Sequence, residues 1–148
     1  MTEDTSAIEG VARLRVAARD GSLAAVAHRH GVSVVAGFGS AVTGDAPRGI
    51  PRDIDVAVGF RTRPADGGLA LVGDLMRLAG SSRVDVAFLD EAGVVLVEEA
   101  LATGETWFED AEGEAANRHL RASLVRMDTD WLRRLDLALM AEAGDPGR

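Results

Sequence analysis

The sequence contains no cysteine and no lysine, since all 16 of its basic residues are arginine. The absence of cysteine excludes disulfide bonds and cysteine-ligated metal sites, and it suits a reducing cytoplasm, where we expect the protein to work. The absence of lysine excludes a Walker A phosphate site and Schiff-base chemistry, because both need a lysine amine. No apolar run is long enough to span a bilayer, and residues 1–10 lack the basic start of a signal peptide.

The charge balance is acidic, with a formal net charge of −8 at pH 7. An acidic surface repels a phosphate backbone, so direct nucleic-acid binding is disfavoured. The same charge speeds the encounter with a basic partner protein. With 148 residues, of which 47% are hydrophobic, the chain has the length and the apolar content of one folded domain.

Hydrophobic periodicity divides the chain into interleaved helices and strands. Ser22 is the predicted N-cap of the second helix. Helices are predicted at 6–18, 23–30, 69–79, 92–102 and 114–143, the last as one helix or two, and strands at 33–38, 53–60 and 83–89. This interleaving predicts an α/β or α+β fold.

Three aspartates are the candidate metal ligands. Asp53 and Asp55 are two positions apart on the clearest predicted strand, so they share a face with their Cα atoms roughly 6–7 Å apart. Two such carboxylates repel each other, and Mg²⁺ removes the repulsion while preferring one or two carboxylates together with substrate phosphates. Asp85 lies on another predicted strand. If that strand neighbours the first, Asp85 joins the cluster, and two metal ions could serve an in-line phosphoryl displacement.

A Gly-Ser turn is the second candidate feature. Gly39 and Ser40 follow the strand at 33–38, and the loop after them is predicted to hold about one helical turn. Glycine lets the backbone approach a phosphate closely, and a helix that begins at Ser40 would aim N–H groups at it. Taken singly, each feature has a plain alternative: a solvated polar strand face for the aspartates and an ordinary turn for Gly39 and Ser40. Their order along the chain is more specific than any one of them.

The stretch "GFGS…RDIDVAV…VDVAFLD" resembles the nucleotidyltransferase signature of the DNA polymerase beta superfamily. The likeness covers about residues 23–108, and "ALATGETWFED" is similar to the segment that follows the third carboxylate in the minimal nucleotidyltransferases. The resemblance implies a polymerase-beta-like fold, a small mixed sheet flanked by helices. It also implies one nucleotidyltransferase domain over 1–148, with its core at about 23–108 and a C-terminal helical part at 112–143.

The resemblance also implies roles for the candidate residues. Gly39 and Ser40 would contact the phosphates of ATP, and Asp53 and Asp55 would bind Mg²⁺. Asp85 would help to bind a metal ion and act as the base that deprotonates the acceptor hydroxyl. The minimal nucleotidyltransferases that this chain resembles are antitoxins, which move AMP from ATP onto a tyrosine hydroxyl of a HEPN-type RNase toxin. The resemblance therefore implies AMP transfer and a HEPN-type toxin as the partner here.

Two other functions remain open. The gap between Ser40 and Asp53 holds 12 residues, Arg52 stands where serine is usual in the family, and Ala41 stands where many relatives carry a basic or polar residue. These departures allow a binding module that neutralises a toxin by occupancy. Arg48 or Arg52 could supply charge to the phosphates, although a solvated loop arginine is favoured. A small-molecule nucleotidyltransferase of the aminoglycoside-modifying type is disfavoured, since such enzymes usually carry an additional helical domain.

The sequence also contains three histidines and a C-terminal segment rich in apolar residues. His28, His30 and His119 are interpreted as surface or helix-end residues and not as zinc ligands. The apolar residues of 120–139 recur at near-helical spacing, which favours packing on the sheet as core. The alternative is a partner surface around Trp131, because aromatic side chains anchor interfaces.

Overall fold

The computed structural model describes residues 6–45 and 49–144, in which a four-stranded sheet carries helices on both faces. The elements in chain order are α1 (Ala7–Asp20), α2 (Ser22–Arg29), β1 (Val32–Phe38), α3 (Ser40–Thr43), β2 (Ile54–Phe60), α4 (Leu69–Ala79), β3 (Val84–Phe88), α5 (Val94–Thr103), β4 (Glu105–Glu109) and α6 (Glu114–Ala143).

The sheet is mixed, with the strand order β3-β2-β1-β4. Strand β1 is antiparallel to both β2 and β4, whereas β2 and β3 are parallel. A parallel pair needs a crossover connection, and α4 supplies it. The predicted α+β class and the small mixed sheet flanked by helices are therefore confirmed.

Both faces of the sheet are covered. Helices α1, α2 and α4 pack on one face around Leu14, Val35 and Leu75, while α5 and the start of α6 cover the other face around Val34 and Ala57. Each of these five residues is fully buried. The plain alternative for Asp53 and Asp55, a solvated polar strand face, does not hold beyond Asp55, because Ala57 on the same face of β2 is buried under α5 and α6.

All of the predicted helices and strands are present, with boundaries shifted by at most two residues, and α4 and α6 have the predicted bounds. The predicted N-cap at Ser22 is wrong: Gly21 is the N-cap of α2, and Ser22 donates from its backbone N–H and its hydroxyl to Asp20. Strand β4 was not predicted. It is a five-residue edge strand whose first two residues are exposed, so it lacks the apolar alternation that identifies longer strands.

The prediction that the apolar residues of the C-terminal segment pack as core is wrong. Helix α6 is continuous over 30 residues, and its only buried residues are Glu114, Ala115 and Ala122. From Leu124 onward the large apolar side chains are exposed, because α5 and the first turns of α6 already cover that face of the sheet. No helix within 6–45 and 49–144 has the length and apolar character needed to cross a membrane.

Candidate active site

The candidate carboxylates meet at the shared border of β2 and β3. These strands are parallel neighbours, and Asp55 pairs in register with Asp85. Asp53 lies one residue before β2 and is exposed, Asp55 is half-buried, and Asp85 is exposed on the edge strand. The strand adjacency that joins Asp85 to the pair is thus confirmed, whereas the catalytic and metal-binding roles of the three residues remain predictions.

The Gly-Ser turn lies directly against this border. Strand β1 ends at Phe38, which pairs with Asp55, and Gly39 follows with φ 75° and ψ −173°, a conformation open essentially to glycine alone. A Cβ atom at Gly39 would collide with the Asp55 carboxylate. Glycine at this position therefore allows the turn and the carboxylate to touch.

One short helix leaves the turn, as predicted. In α3 the N–H groups of Val42 and Thr43 donate to the carbonyl oxygen of Gly39 at 3.1 and 3.0 Å. The N–H groups of Ser40 and Ala41 precede these donors in the first turn, where amides have no acceptor within their own helix. The turn thus presents backbone N–H groups beside Asp55. Such donors at the start of a helix are the groups that bind a phosphate.

The surroundings of Asp55 raise the pKa of its carboxyl. Burial raises the pKa of its carboxyl, and the negative charges of Asp85 and then Asp53 raise the same pKa further. Each of these causes disfavours the ionised form, and a cation would reverse the two charge effects. The protein therefore maintains a region of negative potential that attracts a positive charge.

The donor chemistry of the site fits Mg²⁺. Within the described ranges, no group of three His, Cys, Asp or Glu side chains is arranged to hold a metal ion as it stands. Mg²⁺ does not need such a group, because it is usually bound by one or two carboxylates together with waters and substrate phosphates. Asp55, with Asp53 and Asp85 close enough to shift its pKa, supplies hard oxygen donors of that kind. The magnesium site remains a prediction.

Asp55→Asn should raise the melting temperature of the metal-free protein at neutral pH. The raised pKa means that the folded state binds the Asp55 proton more tightly than the unfolded state does. The stability that this group contributes is therefore complete below the ordinary aspartate pKa and is lost as the pH rises through the raised pKa. Asparagine carries no charge at any pH, so the variant escapes this loss. Solvent screening of a half-exposed group limits the gain to less than about 1 kcal/mol, or roughly 1–3 °C.

Thermal denaturation in EDTA at several pH values from 4 to 8 checks this prediction. The gain should grow with pH, and Asp136→Asn, which removes an exposed carboxylate from α6, should show none. A gain that is equal at every pH would contradict the electrostatic cause.

Arg15 makes contacts next to the Gly-Ser turn that the sequence did not reveal. Its Nε donates to Glu105 at 2.8 Å, and its Nη2 donates to the carbonyl oxygen of Val42 in α3 at 3.4 Å. The indole N–H of Trp107 donates to the same Glu105 oxygen at 2.7 Å. Arg15 thus links α1, β4 and the helix that carries Ser40. Its partners lie 27 and 90 positions away, so no local pattern could have indicated them.

The remaining candidates are two loop arginines and the histidines. Arg52 is exposed, and Arg48 lies outside the described ranges. His30 contacts Asp74 at 2.6 Å, where it lowers the pKa of that carboxyl, and His28 makes an edge-on contact with the ring of Phe108. His30 is the C-cap residue of α2, a helix end as expected, and it is half-buried where its ring contacts Asp74 of α4.

Comparison with known proteins supports the fold. No protein-family model and no curated protein match the sequence. A chain of a toxin–antitoxin crystal structure with AMP-PNP superposes with a TM-score of 0.61 at 17% identity, over 82% of this chain and 98% of that one. A chain of the MntA–HepT toxin–antitoxin complex gives 0.57 at 14% identity, over 82% and 96% of the two chains.

A third similar structure is the complex of a tri-AMPylated HEPN toxin from Shewanella oneidensis with its MNT antitoxin. One of its chains superposes with a TM-score of 0.57 at 15% identity, over 82% of this chain and 95% of that one. The chain therefore has the fold found in these toxin–antitoxin structures over most of its length.

Proposed function

We propose that this chain, which shares its fold with the toxin–antitoxin structures, is a nucleotidyltransferase antitoxin. It transfers AMP from ATP to a hydroxyl group of a partner protein in a metal-dependent reaction. One observation carries the proposal: Asp55 and Asp85 pair in register, and the backbone of Gly39 touches the Asp55 carboxylate. Carboxylates for a cation and backbone donors for a phosphate thus meet at one point.

Each residue of this site has a separate role in the proposed reaction. Asp53 and Asp55 would hold Mg²⁺, which neutralises charge on the triphosphate when it is bound. The N–H groups of the turn at Gly39 and Ser40 orient the phosphates. Asp85, exposed on the edge strand, accepts the proton of the acceptor hydroxyl, whose oxygen bonds to the α-phosphorus as the bond to pyrophosphate breaks.

A HEPN-type toxin is the proposed partner and acceptor. One similar structure contains a tri-AMPylated HEPN toxin together with its MNT antitoxin, which is the modification that the present site could carry out. Another contains AMP-PNP, which is an analogue of ATP, the nucleotide that we propose for this chain. The net charge of −8 would speed the encounter with a basic toxin, and the cytoplasm is the proposed compartment.

ATP labelled at the α-phosphate tests the proposal. The purified protein, Mg²⁺ and lysate of the host are incubated with it, beside the Asp53→Asn/Asp55→Asn variant. We expect a labelled protein band with the wild type alone, and mass spectrometry of that band to identify the acceptor residue. A parallel reaction with ATP labelled at the γ-phosphate should leave the band unlabelled, since AMP transfer releases that phosphate in pyrophosphate.

Two results would overturn the proposal in different ways. If no protein is labelled while a toxin co-purifies and is neutralised equally by the double variant, the chain is a binding module. If the label enters a small molecule, the acceptor class is wrong although the chemistry is right.

A further inference from the structure

The Gly-Ser turn is held in place by residues that lie outside the candidate active site. Gly39 and Ser40 connect β1 to α3, and α3 has only four residues. A helix of this length is not stable by itself, because its few hydrogen bonds do not offset the cost of ordering its backbone. The orientation of α3, and with it the position of the turn, therefore depends on contacts with the rest of the protein.

Contacts of three kinds hold α3. The N–H group and the hydroxyl of Thr43 donate to the carbonyl oxygen of Gly39 at 3.0 and 3.1 Å, and the side chains of Ala41 and Val42 pack against the main core. The carbonyl oxygen of Val42 lies in the last turn, where helical carbonyls lack a partner in their own helix. It accepts a hydrogen bond from Nη2 of Arg15 at 3.4 Å, which ties α3 to α1.

The guanidinium of Arg15 is anchored on its other side to β4. Its Nε donates to Glu105 at 2.8 Å, and the indole N–H of Trp107 donates to the same carboxylate oxygen at 2.7 Å. The hydrogen bond from Arg15, followed by that from Trp107, lowers the pKa of the Glu105 carboxyl, so this group is ionised at neutral pH. An ionised carboxylate is a stronger acceptor than a neutral group, which makes Glu105 a firm anchor for Arg15.

Glu105 and Trp107 are themselves attached to the end of β1 from which the turn leaves. Glu105 pairs in register with Gly37, two positions before Gly39. The ring of Trp107 lies against Gly37, where a Cβ atom would collide with it, and Trp107 is buried. The contacts from Gly37 through Glu105 and Arg15 to α3 thus join the strand before the turn to the helix after it.

We propose that Arg15 is a positioning residue for the nucleotide, because it fixes the angle between β1 and α3 and so holds the Gly-Ser turn beside Asp55. This role rests on the proposed function, in which the turn binds the phosphates of ATP. Arg15 acts through the turn and not on the reacting atoms. A guanidinium suits the role, since its planar fork donates to two acceptors in fixed directions, whereas the amine of lysine is a point charge on a flexible stem.

Calorimetric titration of the full chain with ATP and Mg²⁺, without any acceptor, tests this role. Arg15→Met should raise the dissociation constant of ATP by about tenfold, the effect expected for loss of one hydrogen bond that orders the site. Arg13→Met is the matched control, because it removes the same group from an exposed position of α1 and should leave the constant within about twofold. Both changes remove one positive charge, so their comparison cancels the long-range attraction for ATP.

Arg15→Lys separates positioning from a merely structural ion pair. Lysine keeps the charge and can pair with Glu105, but it does not hold Val42 at the same time in a fixed direction. We expect Arg15→Lys to keep the melting temperature of the wild type and to bind ATP as weakly as Arg15→Met does. Because the pair with Glu105 is partly exposed, even Arg15→Met should lower the melting temperature by no more than about 4 °C.

Glu105→Gln tests whether the link runs through β4. Glutamine keeps an acceptor for Trp107 but holds Arg15 less firmly, so this change should also weaken ATP binding. The double variant Arg15→Met/Glu105→Gln should bind ATP no more weakly than Arg15→Met alone, because both changes break the same link. Once the acceptor is identified, Arg15→Met should raise the KM for ATP by about tenfold and leave kcat within about threefold, since the carboxylates are intact.

The outcomes separate this role from the proposed function. A folded wild type that binds no ATP would overturn the proposed function and the role of Arg15 together. ATP binding that is equally tight in the wild type and in Arg15→Met, or that Arg15→Lys restores fully, would overturn the role of Arg15 and leave the proposed function standing. Additive losses from Arg15→Met and Glu105→Gln would overturn the link through β4.

Discussion

Asp85→Asn should slow AMP transfer by about 100- to 10,000-fold, the range expected for loss of a positioned general base. Asparagine keeps the shape of the side chain but cannot accept the proton of the acceptor hydroxyl. The register pair with Asp55 places Asp85 beside the proposed nucleotide site. Because Asp85 is exposed, its replacement should leave the melting temperature within about 1–2 °C of the wild type. The loss would then belong to the chemistry and not to the fold.

Single-turnover transfer to the identified acceptor measures this effect, and calorimetric titration of ATP separates it from binding. ATP should still bind to the variant, because Asp53, Asp55 and the turn at Gly39 are intact. Asp136→Asn removes a carboxylate of the same kind from an exposed position on α6 and should transfer AMP at the wild-type rate. A rate for Asp85→Asn within threefold of the wild type would remove this residue from the proposed mechanism.

Arg118→Met should lower the free energy of unfolding by about 3–5 kcal/mol, as removal of one partner from a buried ion pair does. Arg118 is the residue that fastens α6 to the sheet. Its guanidinium donates to Glu114 at 2.9 Å, to Asp90 at 3.0 Å, and to the Ser33 hydroxyl and the Phe60 carbonyl oxygen at 3.0 Å each. Methionine fills much of the space but leaves the buried Glu114 and Ser33 without these donors.

Thermal and urea denaturation measure the loss, which corresponds to a fall of roughly 10 °C in melting temperature. Arg121→Met is the matched control, since Arg121 is exposed one turn further along α6 and its replacement should cost less than about 0.5 kcal/mol. Equal losses in the two variants would show that the network around Arg118 contributes no more than an exposed arginine does.

Much of the site could be predicted because its pattern is local. Two aspartates separated by one residue on a strand must share a face, and glycine followed by serine after a buried strand indicates a tight turn into a helix. The helices could be predicted equally well, because amphipathic spacing is visible within about a dozen residues. Strand β4 was missed because a short, half-exposed edge strand has almost no such spacing. Arg15 was missed because its partners are far away in the sequence. Arg118 was missed because Asp90, Phe60 and Ser33 lie 28, 58 and 85 positions away, and only its pairing with Glu114 is local.

The sequence by itself determined the fold class, the candidate carboxylates and the turn, because each follows from side-chain spacing along one segment of backbone. Only the tertiary structure decided that β3 lies beside β2, which brings Asp85 to Asp55. Only the tertiary structure decided that the Gly39 backbone touches that carboxylate, since the contact joins two strands. It also decided the place of the apolar residues of α6. Helical spacing shows that such residues share a side, but whether that side meets the sheet or the solvent depends on how much of the sheet the other helices already cover.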